Sequence, residues 1–593
     1  MKKRVADIIM EELIKHDVTT CFGVVGGGAM FLDNALLHCK KMKKIFNHHE
    51  QASAMAAEAY ARYSGKMAAV CVTSGPGATN TLTGVMGAWQ DSIPMIVLSG
   101  QVRYAISVPQ SGLNLRYRGI QEYQIVPAVK HMTKYAVMIT DPLSIKREID
   151  KAINIALDGR RGPVWLDIPQ DMQSAVVEEE ECYSIELFES EVPEPKEEEV
   201  KSVIEWLKQA DRPCVLLGTG IRSSNSYEEF YRFAEKIRVP MIGASWAADC
   251  CYDECPGYYG LSGNVGPRAG NFILQNADVI LVLGNSLGFR QTGFNLEGFV
   301  PKAKIIMVDA CQDEARKPGL RIHQFIHADL KRFFNMVCSI NISVQAVDAW
   351  FRYCEDLRNR FTVFEGAEGK KPNDAVSSYL FWKVFRKYEP EDSILALGNN
   401  TANTAKLQIG IQKKEQRVLT NYTCGSMGYD LPAAEGASVV SGKKVYCVTG
   451  DGSIMMNLQE LETIRHYDLP ISIVVFSNDG YGAIRQTSKN FFDGEYIGCT
   501  PDTGVGFPNF RDVANTFGFE YRLCTTNGEL DESIEYFVNS SERVLLEVRQ
   551  AFDDPVIPKV MSRIDENGQM LSPVLQDMYP FLDRKDYDVL MIQ

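Results

Sequence analysis

The sequence predicts an α/β protein built from three doubly wound parallel-sheet domains. Three observations carry this prediction. Short apolar runs alternate with helical patterns along the whole chain, as parallel strands joined by crossover helices do. The 593 residues exceed what one hydrophobic core organises and suggest roughly three domains. Two polar stretches divide the chain: the acidic, Pro-bearing VVEEEECYSIELFESEVPEPKEEEV at 176–200, and VFEGAEGKKPND at 363–374. The expected organisation is therefore a first domain over 1–175, a linker over 176–200, a central domain over 201–362, a third domain over 363–550 and a tail over 551–593.

Each block supplies its own strands. The first holds AAVCVTS, PMIVLSG and GPVWLDIP; the second holds PCVLLGTG, VPMIGAS, ADVILVLG and AKIIMVDA. The third holds ILALG, KKVYCVT and ISIVVF. Continuous apolar runs of this length fit strands covered on both faces. The first and third blocks are expected to share a topology, although no repeat is visible between their sequences.

Composition narrows the class. Apolar residues make up 45% and charged residues 23%, the balance of a globular protein. A formal net charge of −14 argues against nucleic acid as a partner, because that needs a basic face. The opening MKKRVADIIMEELIKHDVTT is interrupted by Asp7, Glu11 and Glu12 and reads as an amphipathic helix, not a signal peptide. No run of eighteen apolar residues exists, so no membrane span is expected. Fifteen cysteines without a signal sequence suggest reduced thiols and a cytoplasmic location. Cys250, Cys251 and Cys255 cluster in DCCYDEC, but no second Cys or His pair follows at zinc spacing.

The densest chemistry lies at 450–478, GDGSIMMNLQELETIRHYDLPISIVVFSN. Asp451 and Asn478 each follow an apolar strand, one βαβ unit apart, at the edge where open α/β sheets bind ligands. A carboxylate oxygen and an amide oxygen are hard donors suited to Mg²⁺. The flanking glycines and the following helix N-terminus suit a phosphate. This arrangement resembles the thiamine diphosphate motif, which starts GDG and ends in Asn about thirty residues later. The resemblance implies Asp451, Asn478 and the carbonyl of Gly480 as Mg²⁺ ligands, with Gly452, Ser453 and Asn457 on the cofactor.

The same family needs an N-terminal Glu to protonate the cofactor's aminopyrimidine ring. FNHHEQASAMAAEAYARYSG supplies Glu50, followed by AAVCVTSGPGATNTLTGV. NYTCGSMGYDLPAAEGAS, at 421–438, resembles the segment that bends the cofactor. There Met427 would be the wedge and the Gly425 carbonyl the acceptor for the pyrimidine amino group. ILALGNNTANTAK places Gly398, Asn399 and Asn400 at the family's other diphosphate loop. The implied fold is the thiamine-diphosphate-binding one: pyrimidine, central and diphosphate domains. In such enzymes the Glu-bearing domain of one subunit faces the diphosphate domain of another, so a homodimer or homotetramer is expected.

Nearly the whole chain is similar to the acetolactate synthase large catalytic subunit and its relatives. SGQVRYAISVPQ and IQEYQIVPAVKHMTKYAV track family stretches. They place Gln121 on the active-site Gln and Lys134 on a substrate-side Lys; Gly27 and Gly28 fall beside the reacting centre. The segment after Asn478 departs from the family. In DGYGAIRQTSKNFF, Thr487 stands where synthases carry Trp, with Ile484 and Arg485 nearby. Ile120 replaces a Phe. These changes suggest a larger, more polar acceptor pocket, in which Arg485 offers a fork for carboxylate or phosphate. The tail VIPKVMSRIDENGQMLSPVLQDMYPFLDRKDY is longer than a typical synthase tail, resembles relatives linked to unusual sugar biosynthesis, and is expected to cover the site. GNSLGFRQTG, with Arg290, and PCVLLGTGIRSS resemble flavin-contacting stretches, but the surrounding Arg/Asp pattern is incomplete, so FAD stays open.

The expected function is a thiamine-diphosphate-dependent carboligase. It decarboxylates a 2-keto acid, pyruvate first among them, and joins the acyl unit to a carbonyl acceptor such as a nucleotide-linked keto sugar. The alternatives are acetolactate synthase proper, a 2-keto-acid decarboxylase or oxidase, and a non-catalytic cofactor-binding subunit.

Overall fold

The computed structural model describes residues 1–184, 188–564 and 567–592. Residues 185–187 of the expected linker, and 565, 566 and 593 of the expected tail, lie outside the described residues. Three six-stranded, wholly parallel sheets organise the chain.

The first sheet contains β1 (Thr20–Gly23), β2 (Lys43–Phe46), β3 (Ala69–Val72), β4 (Ile96–Gln101), β5 (Tyr135–Met138) and β6 (Val164–Pro169), in the order 2-1-3-4-6-5. The second contains β7 (Pro213–Leu217), β8 (Met241–Ala244), β9 (Tyr258–Ser262), β10 (Val279–Leu283), β11 (Lys304–Asp309) and β12 (Ile322–His327), in the order 9-8-7-10-11-12. That is the doubly wound dinucleotide-fold order. The third contains β13 (Ile394–Leu397), β14 (Arg417–Leu419), β15 (Val445–Gly450), β16 (Ile471–Ser477), β17 (Glu520–Cys524) and β18 (Val544–Arg549), in the order 14-13-15-16-18-17. The first and third sheets share one topology, as the alternation of their apolar runs suggested. The central strands are buried along their whole length because helices cover both faces; β10, VILVL, has no exposed residue.

Four helices position the site, α1 (Glu50–Ser64), α3 (Thr401–Ile409), α4 (Asp430–Ser441) and α5 (Gly482–Phe491), and α2 (Arg268–Asn276) anchors the tail. Six of the ten buried residues of α1, between Ala52 and Ala61, are alanine. Those small side chains let α1 and α4 approach closely: a Cβ on Gly436 would fall 2.1 Å from the Ala56 carbonyl. Tyr429 caps the crossing by donating to Glu58 Oε2 at 2.5 Å. Gly65, at φ 71°, ends α1 in a left-handed turn.

The tail runs from the third sheet to the central domain. Its first stretch borders the third sheet. Beyond that it crosses to the central domain, where Asn271 donates to the Leu575 carbonyl at 3.0 Å and Arg268 to the Met578 carbonyl at 3.1 Å. Buried Leu575 and Leu590 join the central core. Apolar anchors at these positions hold this part of the tail along α2. Among the described residues, no helix is long and apolar enough to cross a membrane.

Candidate active site

Two groups of residues gather at C-terminal strand ends. On the third sheet, β15 delivers Asp451 and β16 delivers Asn478. Asp451 Oδ2 accepts from the backbone N–H of Asn478 at 3.0 Å and of Gly480 at 3.2 Å, and Oδ1 from Gly452 N–H at 2.8 Å. These donors favour the anion, yet burial dominates and pushes the Asp451 carboxyl up to about 6. Asn478 Nδ2 donates to Gln550 Oε1 at 3.0 Å, which fixes the amide. Its Oδ1 is buried without a partner. A buried, orphaned carbonyl oxygen beside a buried carboxylate fits a hard cation. Gly480, at φ 145°, has no room for a side chain: a Cβ would fall 1.9 Å from the Cys499 carbonyl.

The diphosphate-side loops converge on the same place. Asn400 caps α3 by accepting from Asn403 N–H at 2.8 Å, and its buried Nδ2 has no partner. It lies against Gly450, whose Cβ position is 3.3 Å from Asn400 Cβ. That free N–H pair and the α3 N-terminus suit a phosphate oxygen. Gly398 is forced to be glycine by Asp430, whose Oδ2 would lie 2.1 Å from a Cβ. Asp430 also accepts from Ser453 Oγ at 2.6 Å, and Ser453 Oγ accepts from Gly428 N–H at 3.0 Å. Met427 is half-buried in this turn. The Gly425 carbonyl accepts from Asn399 Nδ2 at 2.5 Å and keeps a second lone pair.

On the first sheet, the turn after β3 is the hub. Gly28 N–H donates to Thr73 Oγ1 at 2.9 Å, and Gly75 lies under the Gln121 carbonyl, 2.4 Å from its Cβ position. Glu50 begins α1, accepts from Asn80 Nδ2 at 2.9 Å and lies 3.4 Å from the Cβ position of Gly77. Gly27 is open on its outer side, while its carbonyl accepts from Gln170 Nε2 at 2.7 Å. Gly27, Gly28, Glu50 and Gln121 are thus brought together. No described hydrogen bond links Glu50 to Gly425, Met427 or the Asp451–Asn478 pair.

Three expected site residues have protein partners. Asn457 is fully buried; its Nδ2 donates to the Gly428 carbonyl at 2.8 Å and Gln51 Oε1 at 3.0 Å, which braces the Met427 turn. Lys134 donates to the Asp158 carbonyl at 2.6 Å, in a cavity between the first and central domains, away from Ile484 and Thr487. Arg485 is not an open fork: it is 1% exposed and donates to the Phe552 carbonyl at 2.9 Å. Ile484 and Thr487, on the outer side of the same helix, are exposed. Sequence reading missed Asp430, Asn403 and Gln550, which hold the ligand loops from behind. No spacing signal marks them, since their partners are distant in the chain.

The cavity containing Lys134 measures about 660 Å³. Arg160, Arg161, Gly220, Asp309 and Lys317 line it, at the β7 and β11 ends of the central sheet. Arg290, expected near a flavin, stacks over Tyr422 at 3.9 Å.

The comparisons with known proteins bear on the family. Residues 3–121 match "Thiamine pyrophosphate enzyme, N-terminal TPP binding domain", residues 200–337 the central domain and residues 396–548 the C-terminal TPP binding domain of the same family. The chain belongs to the thiamine pyrophosphate-dependent enzymes. Within that class it is similar to acetolactate synthase large subunits. Isozyme 2 of Escherichia coli (strain K12) is 30% identical over 545 residues, covering 92% of this chain and 95% of that protein. Isozyme 1 of the same organism is 30% identical over 560 residues, covering 94% and 95%. Acetolactate synthase 3, chloroplastic, of Brassica napus is 29% identical over 572 residues, covering 94% and 85%.

Proposed function

We propose that this enzyme decarboxylates a 2-keto acid, with pyruvate as donor, and ligates the acyl unit to a carbonyl acceptor. The reaction class rests on the similarity to acetolactate synthase large subunits, and the observation that supports the cofactor site is the Asp451–Asn478 pair with its orphaned buried oxygen. Asp451, Asn478 Oδ1 and the Gly480 carbonyl would hold Mg²⁺, with Asn400 Nδ2 donating to the diphosphate. Met427 would pack against the cofactor and the Gly425 carbonyl would accept from its amino group. When bound, thiamine diphosphate supplies the electron sink that decarboxylation requires. Glu50 would share a proton with the pyrimidine N1′, its carboxyl oriented by the hydrogen bond from Asn80 Nδ2. Gln121 and the Gly27–Gly28 loop border the substrate side.

The site is completed by a second copy of the chain. Glu50 bonds within its own domain, and both half-sites are edged by exposed apolar residues: Ile120, 89% exposed, on one, and Ile484, 49% exposed, on the other. Mixing Glu50→Gln with Asp451→Ala chains should restore activity that neither variant has alone. A monomer of full activity in light scattering would rule this out.

The cavity between the first and central domains suits a nucleotide cofactor, FAD by the flavin-like stretches, with Arg160 and Arg161 for phosphates and Asp309 for ribose hydroxyls. A flavin absorption spectrum of the purified protein tests it.

For the acceptor, Thr487 and Ile120 in place of aromatic walls favour a bulky carbonyl compound such as a nucleotide-linked keto sugar. Arg485 no longer supports that choice. Mass spectrometry of products from labelled pyruvate, alone and with keto acids or keto sugars, decides among the readings. Efficient acetolactate formation unaffected by keto sugars would make the chain a synthase proper. Acetaldehyde or acetate alone would make it a decarboxylase or an oxidase.

A further inference from the structure

Arg485 is a buried cation without an ion pair among the described residues. Its guanidinium lies 3.9 Å over the Phe552 ring, and Nη2 donates to the Phe552 carbonyl at 2.9 Å. Nε and Nη1 are buried with no partner. Leaving a charged group so under-satisfied is costly unless an anion or acceptor arrives. The guanidinium sits against the loop that carries the proposed metal ligands: Nη1 is 2.8 Å from the Cβ position of Gly480, and Nη2 is 3.7 Å from that of Gly482. One helical turn of α5 continues the contact with the tail. Gln486 Nε2 donates to the Asp554 carbonyl at 3.1 Å, Gln486 Oε1 accepts from Lys559 Nζ at 3.4 Å, and Lys489 pairs with Asp553 at 3.3 Å. The inner side of α5 is therefore sewn to residues 552–559, while its outer side presents Ile484 and Thr487.

We infer that Arg485 is a positioning residue that couples filling of the diphosphate–Mg²⁺ site to docking of residues 552–559 on α5. The inference rests on the thiamine diphosphate reading above. A diphosphate at the metal loop supplies acceptor oxygens for the buried Nε–H and Nη1–H groups, which have no partner among the described residues. The fork then holds the loop on one side and Phe552 on the other, which fixes α5 and with it the acceptor-facing side chains. The same geometry explains why Arg serves here: its rigid planar fork presents N–H groups to the loop and to Phe552 at fixed, separated points, whereas a Lys ammonium gathers its three donors on one atom.

The test uses the full chain as wild type, Arg485→Met and Arg485→Lys. Thiamine diphosphate affinity is read by fluorescence titration in Mg²⁺, and chymotryptic and tryptic cleavage at Phe552 and Lys559 is followed with and without cofactor. Wild type should bind the cofactor and be protected by it. Arg485→Met should bind about tenfold more weakly, in the range of lost outer-shell metal partners, and lose the cofactor-dependent protection. Arg485→Lys should keep most of the affinity while losing much of the protection. The inference is overturned if Arg485→Met is protected like wild type. It is also overturned if Arg485→Lys, used where Arg485→Met does not fold, matches wild type in both readouts. Absence of cofactor binding by wild type would instead overturn the reading on which it rests.

Discussion

Replacing Gly480 with Ala tests the metal loop most directly. The new Cβ would lie 1.9 Å from the Cys499 carbonyl oxygen, where carbon atoms do not approach within about 3 Å. It would also crowd Arg485 Nη1 at 2.8 Å. Relieving the first clash needs a movement of roughly 1 Å in the loop, whereas a metal site tolerates about 0.2 Å in its ligand distances. The positive φ of 145° adds roughly 1–3 kcal/mol of backbone strain for any residue but glycine. If about 2 kcal/mol of that cost falls on the liganded loop, Mg²⁺-dependent cofactor affinity drops by roughly thirtyfold. Protein stripped with a chelator and titrated with thiamine diphosphate at fixed Mg²⁺ gives the number, with denaturant unfolding of the stripped protein as the control. Unchanged affinity would refute the assignment of the Gly480 carbonyl to the metal and the claim that this loop sets the geometry.

Further outcomes follow from the same site. Asp451→Ala should abolish Mg²⁺-dependent binding of thiamine diphosphate, measured by calorimetry. Glu50→Gln should still bind the cofactor but slow hydrogen–deuterium exchange at its C2 by several orders of magnitude, more than about 4 kcal/mol of barrier; unchanged exchange removes Glu50 from the mechanism. Asp167 should set a pH dependence of stability. It is fully buried between Ser99 Oγ, at 2.7 Å, and Gln101 Nε2, at 3.1 Å, and burial pushes its carboxyl up to about 7. The native state therefore keeps a proton that the unfolded chain releases from about pH 4 upward, so stability is full below that and falls as pH rises towards 7. Asp167→Asn should flatten that fall in urea unfolding measured from pH 4 to 8.

The fold class and the chemical parts of the candidate site are legible in the order of the amino acids. Parallel strands buried on both faces are nearly uniform in apolar character, so β10, β15 and β16 are readable as VILVL, VYCVTG and ISIVVFS. The metal-ligand candidates are legible for a related reason. They sit at strand ends within one βαβ unit, where local chain geometry fixes their spacing. Glu50, Gly27, Gly28 and Gln121 were legible only through resemblance, because their meeting around the β3 turn depends on sheet order. What a side chain touches was decided by the tertiary structure alone. Arg485 and Thr487 are two residues apart and looked alike as pocket residues. A helix turns about 100° per residue, so one faces the tail and is buried while the other faces outward. The partners of Asn457 and Lys134 were hidden for the same reason, being remote in the chain. The tail's course was equally hidden: it depends on Asn271 and Arg268, some three hundred residues away, whose side chains meet its backbone carbonyls only once the central domain has folded.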